Sequence, residues 1–171
     1  MDKKRAFTII FVAWLALMLA FIGIKEFTIQ SGTKVLLKTR PVDPRDMFRG
    51  DYVALSYEIS GLDAGPEVHN GDTVYVYLEN QGFHHAVKEY STEKKQGLFI
   101  KGKVESAGDR ISVKYGIESY FVPEGKGREI EMLQNTGDLY VMVSVDRFGN
   151  AVITDLFVND TKISYTQTTG K

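Results

Sequence analysis

An uninterrupted apolar run near the N-terminus limits what this chain can fold into. Ala6–Ile24 reads AFTIIFVAWLALMLAFIGI and contains no charged residue in 19 positions. As a helix, this run would reach about 28 Å, which is close to the thickness of a bilayer's hydrocarbon core. The run therefore predicts a transmembrane anchor rather than an element of a water-soluble core.

Charges on either side of the run predict its orientation. Lys3, Lys4 and Arg5 precede it, whereas Lys25 and Glu26 follow it directly. Because basic residues stay on the cytoplasmic side of a membrane, the N-terminus is expected in the cytoplasm and the rest of the chain outside. The predicted location is the cell membrane, with a single pass and an extracytoplasmic C-terminal domain.

Two other interpretations of the run remain open, a cleaved signal peptide and a buried core helix. A signal peptide has an apolar stretch of about 7–15 residues before a site with small residues at alternate positions. This run is longer, and the bulky residues Ile22, Ile24 and Phe27 surround its end. The pattern favours an uncleaved signal-anchor.

Length and composition predict one domain beside the anchor. The expected division is 1–26 for the cytoplasmic stub and anchor, 27–160 for an extracytoplasmic β domain, and 161–171 for a frayed tail. The chain has no cysteine, which excludes disulfides, thiolate catalysis, cysteine-based zinc sites and a lipid-modified cysteine.

The charge balance argues against nucleic acid as a partner. Removing Lys3, Lys4, Arg5 and Asp2 from the totals of 21 basic and 22 acidic residues leaves 18 and 21 beyond the anchor, a net charge of −3. Nucleic-acid binding needs a positive surface.

No cofactor or metal is expected either. The three histidines include the adjacent pair His84 and His85, and neighbours on a strand point to opposite faces and do not readily chelate one ion.

Short segments of alternating hydrophobicity, separated by glycine-rich turns, predict a mainly β domain. Crossover helices are missing, so we expect an antiparallel curled sheet or partly open barrel with one short helix. A connector is predicted at Phe27–Thr33, a polar loop at Gly61–Gly71 and a bulge at Gly102. Strands are predicted at Lys34–Thr39, Asp51–Ile59, Thr73–Glu79, Phe83–Tyr90, Leu98–Ser106, Arg110–Tyr115, Ile117–Val122, Leu139–Val145 and Ala151–Val158, and the helix at Arg128–Asn135.

The densest group of charges lies in the loop that precedes the second strand. Arg45, Asp46, Arg49 and Asp51 follow a proline-rich segment that is expected to be extended. Two arginine forks can hold a carboxylate or phosphate group bidentately. The same charges can instead pair with each other and fix the loop on the sheet. The sequence leaves both interpretations open.

The segment GDYVALSY, Gly50–Tyr57, resembles the signature of the GDYXXLXY family, and Tyr115–Gly127 resembles a second block typical of it. The resemblance implies a bacterial, membrane-anchored protein of the cell envelope, often encoded beside a multi-pass membrane protein. It implies no particular activity and no catalytic residues.

A weaker similarity links the chain to type I signal peptidases. A serine nucleophile is expected eight residues before a Gly-Asp pair, where this chain has Val42 and Asp63. A lysine base such as Lys101 then has no hydroxyl to activate.

These observations predict a binding or assembly module held at the membrane, with a multi-pass membrane protein or an envelope component as its partner. The alternative is an envelope hydrolase or transferase that uses loop carboxylates and arginines. Convergence in one concave pocket would favour the enzyme; the groups concerned are Arg49, Asp51, Glu118 and Glu124. The predicted binding residues are Arg45, Asp46, Arg49, Asp51, Tyr52, Tyr57, Glu118, Tyr120, Glu124 and Lys126.

Overall fold

A computed structural model describes residues 3–42, 52–63, 67–123, 125–158 and 160–163. Within these ranges the protein is mainly β, with a large mixed sheet, one N-terminal apolar helix and a single short helix elsewhere. The predicted fold class is confirmed, and the sheet does not close into a barrel.

The elements follow one another along the chain as two helices and eleven strands in the described residues. The helices are α1 (Lys3–Ser31) and α2 (Gly127–Thr136). The strands are β1 (Thr33–Lys38), β2 (Tyr52–Ala54), β3 (Gly61–Asp63), β4 (Thr73–Asn80), β5 (His85–Ser91), β6 (Phe99–Ser106), β7 (Arg110–Lys114), β8 (Ser119–Phe121), β9 (Leu139–Val145), β10 (Ala151–Val158) and β11 (Thr161–Ile163).

Nine of these strands form one sheet in the order β11-β10-β9-β1-β5-β4-β6-β7-β3, and β2 pairs with β8 in a separate two-stranded sheet. Neighbours in the large sheet are antiparallel except β1 and β5, which run parallel. The sheet curls so that β6 reaches the β9–β10 turn. There, the N–H of Lys101 in β6 donates to the carbonyl of Gly149 at 2.8 Å. Alternate side chains point into this curl, among them Val35 and Leu37 of β1 and Val141 of β9, each fully buried.

Within the predicted strand Asp51–Ile59, the described residues form a strand only over Tyr52–Ala54. Val53, Leu55, Tyr57 and Ile59 share one face, as their alternation predicts, and in the structure all four are buried. The strand ends at Ala54 because the segment changes partners. Its first part pairs with β8, Tyr57 bridges to Thr39, and a 3-10 turn follows at Glu58–Ser60.

Two further predictions are corrected by the strands at the edges of the large sheet. Part of the predicted polar loop, Gly61–Asp63, is β3 and pairs with β7. Thr161–Ile163, predicted as the start of a frayed tail, pairs with β10 as β11.

Gly102 is not a bulge, because it pairs in regular register with Val74 of β4. A Cβ at this position would lie 2.3 Å from the side chain of Val113 and 2.9 Å from that of Tyr115. Glycine is required here by close packing, whereas the bulge in β6 falls between Val104 and Ser106.

The predicted connector at Phe27–Thr33 is largely helical, since α1 continues to Ser31. Its last turn is joined to the sheet. The hydroxyl of Ser144 in β9 donates to the carbonyl of Thr28 at 2.7 Å, and Thr28 itself is buried. Gly32 then turns the chain in a space where a Cβ would lie 2.4 Å from Ser144 Oγ and 2.5 Å from the Thr28 carbonyl. The helix is thus attached to the domain directly rather than through a linker.

The β9–β10 turn beside the end of α1 is organised by Asp146. Its carboxylate accepts hydrogen bonds from the backbone N–H of Phe148 at 2.8 Å and of Asn150 at 2.9 Å, and from the Asn150 side-chain amide at 2.8 Å. Burial raises the pKa of Asp146, but these hydrogen bonds outweigh it, so the pKa is lowered overall. The turn is therefore stabilised most when Asp146 is ionised.

We expect Asp146→Asn to lower the melting temperature at neutral pH, with a smaller difference from the natural protein as the solution is acidified. A lowered folded-state pKa contributes stability above the ordinary aspartate pKa of about 3.9, and this contribution is lost as the pH falls through the folded-state value. Thermal unfolding of the full chain in detergent, from neutral pH down to below the ordinary aspartate pKa, measures the difference. Asp109→Asn, in an exposed turn, is the control, and a difference that does not change with pH would contradict the prediction.

Candidate functional site

The two-stranded sheet carries the exposed part of the GDYVALSY segment. Tyr52 of β2 lies opposite Phe121 of β8, and Val53 lies opposite Tyr120. Val53 is fully buried, and a Cβ on Gly127 at the start of α2 would lie 3.7 Å from it. Packing on α2 therefore fixes one face of this small sheet and leaves Tyr52 and Phe121 on the other.

These two rings form an exposed aromatic pair. Tyr52 is 55% exposed and Phe121 is 61% exposed. Their ring centroids are 5.3 Å apart in an edge-to-face arrangement, a geometry that aromatic side chains favour. We call Tyr52 and Phe121 the aromatic pair. Its apolar surface remains in contact with solvent in the described structure.

Tyr57, predicted to line a binding surface, is instead fully buried. Its hydroxyl donates to the carbonyl of Ile117 at 2.6 Å. Tyr115 makes the reciprocal contact, donating from its own hydroxyl to the carbonyl of Ile59. Burial, and then the charge of Glu118, raise the pKa of Tyr57 well above the usual range. Both phenols therefore stay protonated and act as donors that fasten two segments together.

Glu118 is engaged within the protein as well. Its carboxylate accepts from the backbone N–H of Tyr115 at 2.5 Å and of Gly116 at 2.9 Å. Its carbonyl accepts from the N–H of Leu55 at 2.8 Å. Glu118 thus closes the turn before β8, a structural role that differs from the binding role predicted for it.

Two further predicted residues, Tyr120 of β8 and Lys126 just before α2, are among the described residues. Tyr120 is half-buried, and burial, followed by the nearby Asp155 charge, raises its pKa. Lys126 pairs with Glu129 at 3.0 Å near the start of α2. Of the predicted set, Arg45, Asp46, Arg49, Asp51 and Glu124 lie outside the described residues.

The described tyrosines do not form a single exposed surface. Tyr57, Tyr77 and Tyr115 are buried. Tyr75 stacks edge-on against Phe99, away from the two-stranded sheet. Tyr52, with the half-buried Tyr120 beside it in the sheet, is the member that offers an exposed ring to a ligand.

A polar cluster next to Tyr57 was missed by the sequence analysis. Lys38 Nζ lies 2.8 Å from one oxygen of Glu58, and His84 Nε2 lies 4.0 Å from the other. The hydrogen bond and charge of Glu58 raise the pKa of Lys38, which keeps it protonated and unsuited to act as a base. Such partly exposed pairs contribute about 1 kcal/mol or less. Only the position of Glu58 directly after the motif could have pointed to this cluster.

No metal centre is apparent in the part of the chain that the structure describes. Among those residues, no group of three or more histidine, aspartate or glutamate side chains is arranged to hold an ion.

The profile of the family described as GDYXXLXY protein matches residues 14–156. The chain belongs to the GDYXXLXY family. The matched region begins inside α1 and ends in β10, so it takes in the helix–domain junction together with nearly all of the sheet. Comparison with curated proteins and with solved structures gives no match.

The structure separates the described positions of the GDYXXLXY motif into two roles. Leu55 and Tyr57 are core residues, 3% and 0% exposed, and their place in the motif is explained by packing and by the Tyr57 hydrogen bond. Tyr52 is exposed and makes no comparable contact with the core. The fold therefore accounts for the second half of the motif but not for its first tyrosine.

Tyr57→Phe is expected to destabilise the protein by about 1–3 kcal/mol, because the buried carbonyl of Ile117 loses its donor. Tyr52→Phe, the same chemical change at an exposed ring, is expected to stay within about 0.5 kcal/mol of the natural protein. Chemical unfolding of both variants beside the natural chain measures the difference. Equal effects of the two substitutions would show that the Tyr57 hydroxyl does not hold the core.

Proposed function

We propose that this GDYXXLXY protein is a membrane-anchored, extracytoplasmic binding module that docks on a multi-pass membrane protein through its aromatic pair. The observation that carries the proposal is the exposure of Tyr52, the first tyrosine of the motif, beside the equally exposed Phe121. Exposed aromatic rings are costly to leave in water and are enriched where proteins bind each other. Docking would explain the place of Tyr52 in the motif, which packing in the core does not explain.

The helix supports the anchoring part of the proposal. α1 is long and apolar enough to cross a membrane, and the described residues of its apolar window are not buried against the rest of the protein. This exposure argues against the interpretation as a core helix. Lys3, Lys4 and Arg5 before the run favour a cytoplasmic N-terminus.

The junction between α1 and the sheet supports a partner in or near the same membrane. Ser144 donates a hydrogen bond to the carbonyl of Thr28, and there is no space for a Cβ at Gly32. The domain is therefore held at a fixed orientation to the helix. A module held this way presents its aromatic pair at a defined height above the membrane, which suits an interaction with another membrane protein.

The enzyme alternative has no specific support in the described residues. Glu118, one of the carboxylates expected at its site, is bonded to the backbone of its own turn. The other predicted groups, Arg49, Asp51 and Glu124, lie outside the described residues. We therefore propose the binding module alone.

The proposed topology predicts the labelling of introduced cysteines, for which the cysteine-free chain gives no background. In intact cells, a membrane-impermeant maleimide should label Lys103→Cys and should not label Lys4→Cys. After lysis it should label both, with Lys4→Cys still in a chain of full length. Labelling of Lys4→Cys in intact cells would reverse the orientation, and its loss from the mature chain would show that α1 is a cleaved signal.

The proposed docking surface predicts where cross-links form. A photoreactive phenylalanine analogue placed at Tyr52 or at Phe121 in cells should cross-link to an integral membrane protein, because these rings would be covered in the complex. The matched control is Phe83, an aromatic residue that is 43% exposed and stacked on Tyr140 in another part of the surface. Mass spectrometry of the adducts identifies the partner. The same adducts from Phe83, or none from the aromatic pair, would contradict the proposed surface.

A further inference from the structure

Two loops of the domain flank the end of α1. The turn 146–150 between β9 and β10 and the loop 92–98 between β5 and β6 both lie there. Between α1 and the turn is an open groove of about 700 Å³. On the helix it is lined by Ala20, Gly23 and Phe27, and on the turn by Arg147 and Phe148.

The groove extends into the apolar run. Ala20 and Gly23 belong to that run, whereas Ser31, which also lines the groove, is the last residue of α1. Ser31 comes eleven residues after Ala20, a separation of about 16 Å along the helix. With α1 in a bilayer, the groove therefore crosses from the hydrocarbon core into the headgroup region.

The lower part of the groove is open and apolar. A Cβ added to Gly23 would meet no atom within 4 Å, so the helix surface there is accessible from the groove. Phe27 and Phe148, which are 68% and 53% exposed, lie on its two sides. An acyl chain can lie against such a surface without leaving a polar group unpaired.

The upper part carries positive charge next to an aromatic ring. The guanidinium of Arg147 lies 4.8 Å from the centre of the Phe148 ring, and Lys94 Nζ lies 5.6 Å from the same centre. Lys94 also donates to the carbonyl of Arg147 at 3.2 Å, which joins the two loops. The acidic Asp146 also lines the groove, but its oxygens accept the hydrogen bonds that form the turn.

We propose that this groove binds one anionic phospholipid from the leaflet that the domain faces. The phosphate lies at Arg147 and Lys94, and an acyl chain lies along Ala20 and Gly23. The inference rests on α1 being a membrane anchor, as proposed above. Basic residues beside an aromatic ring match a lipid phosphate at the interface, whereas a second helix packed on Ala20 and Gly23 would place apolar side chains against the two cations.

Lipids with brominated chains quench tryptophan fluorescence, and this quenching tests both the membrane anchor and the lipid site. The full chain, whose one tryptophan is Trp14 in the middle of the apolar run, is placed in bilayers with bromine near the chain ends. The double variant Trp14→Phe with Phe148→Trp is placed in bilayers with bromine close to the headgroup. Bromine is carried by phosphatidylglycerol in one series and by phosphatidylcholine at the same fraction in the other.

We expect quenching of the natural chain in both series and stronger quenching of the double variant by phosphatidylglycerol. Adding Arg147→Gln or Lys94→Gln should remove that preference. Arg128→Gln is the matched control, because Arg128 is an exposed arginine on α2 that does not line the groove. Without quenching of Trp14, the anchor itself is wrong. If Trp14 is quenched but Phe148→Trp is shielded from both lipids, the anchor is supported and the lipid site is overturned. A partner helix that covers the groove would give this result.

A second measurement avoids the tryptophan substitution. The full chain with Phe148 intact is purified in detergent, mixed with equal phosphatidylglycerol and phosphatidylcholine, and its retained lipid is weighed by native mass spectrometry. The natural chain and Arg128→Gln should retain phosphatidylglycerol preferentially, and Arg147→Gln should lose this preference. Equal retention of both lipids by the natural chain, or an unchanged preference in Arg147→Gln, would overturn the proposal.

Discussion

The fold depends on a pair of reciprocal hydrogen bonds between two buried tyrosines and the backbone. The Tyr57 hydroxyl donates to the carbonyl of Ile117, and the Tyr115 hydroxyl donates to the carbonyl of Ile59. Each phenol thereby satisfies a carbonyl that burial would otherwise leave unpaired. Because these bonds join the segment after β2 to the segment before β8, they also bring the two short strands into register. Together with the hydrogen bond from the Leu55 N–H to the Glu118 carbonyl, these two tyrosines hold the strands that carry the aromatic pair.

A second constraint sets the domain relative to α1. The helix that carries the apolar run continues beyond the end of the run to Ser31, and its last turn is hydrogen-bonded to β9. This attachment fixes the positions of the two proposed surfaces, the aromatic pair and the groove, relative to α1. The groove lies beside α1, at the end of β9 that holds Val145, whereas α2 and the small sheet that packs on it lie towards the Leu139 end. The proposed lipid surface and the proposed protein-docking surface therefore lie towards opposite ends of β9.

The sequence predicted the elements whose signal is local. Alternation placed Val53, Leu55, Tyr57 and Ile59 on one face, which the structure shows to be buried. Helical spacing found α2 to within one residue at either end. It failed where a tertiary partner decided the outcome. Ser144, more than a hundred residues away, turns the predicted connector into the end of α1, and Val113 and Tyr115 explain a glycine that looked like a bulge. The candidate site follows the same division, since tyrosines of similar local pattern lie partly in the core and partly on the surface.

By itself, the sequence determined the family, the β class of the domain and an N-terminal helix able to span a membrane. These depend on motif, alternation and the length of an apolar run, all of which are properties of neighbouring residues. The tertiary structure decided which described motif residues hold the core and which remain exposed, and it created the groove between α1 and the β9–β10 turn. The reason is that burial, and the charge that a residue meets, depend on strands far apart in the chain, whose pairing no local pattern encodes.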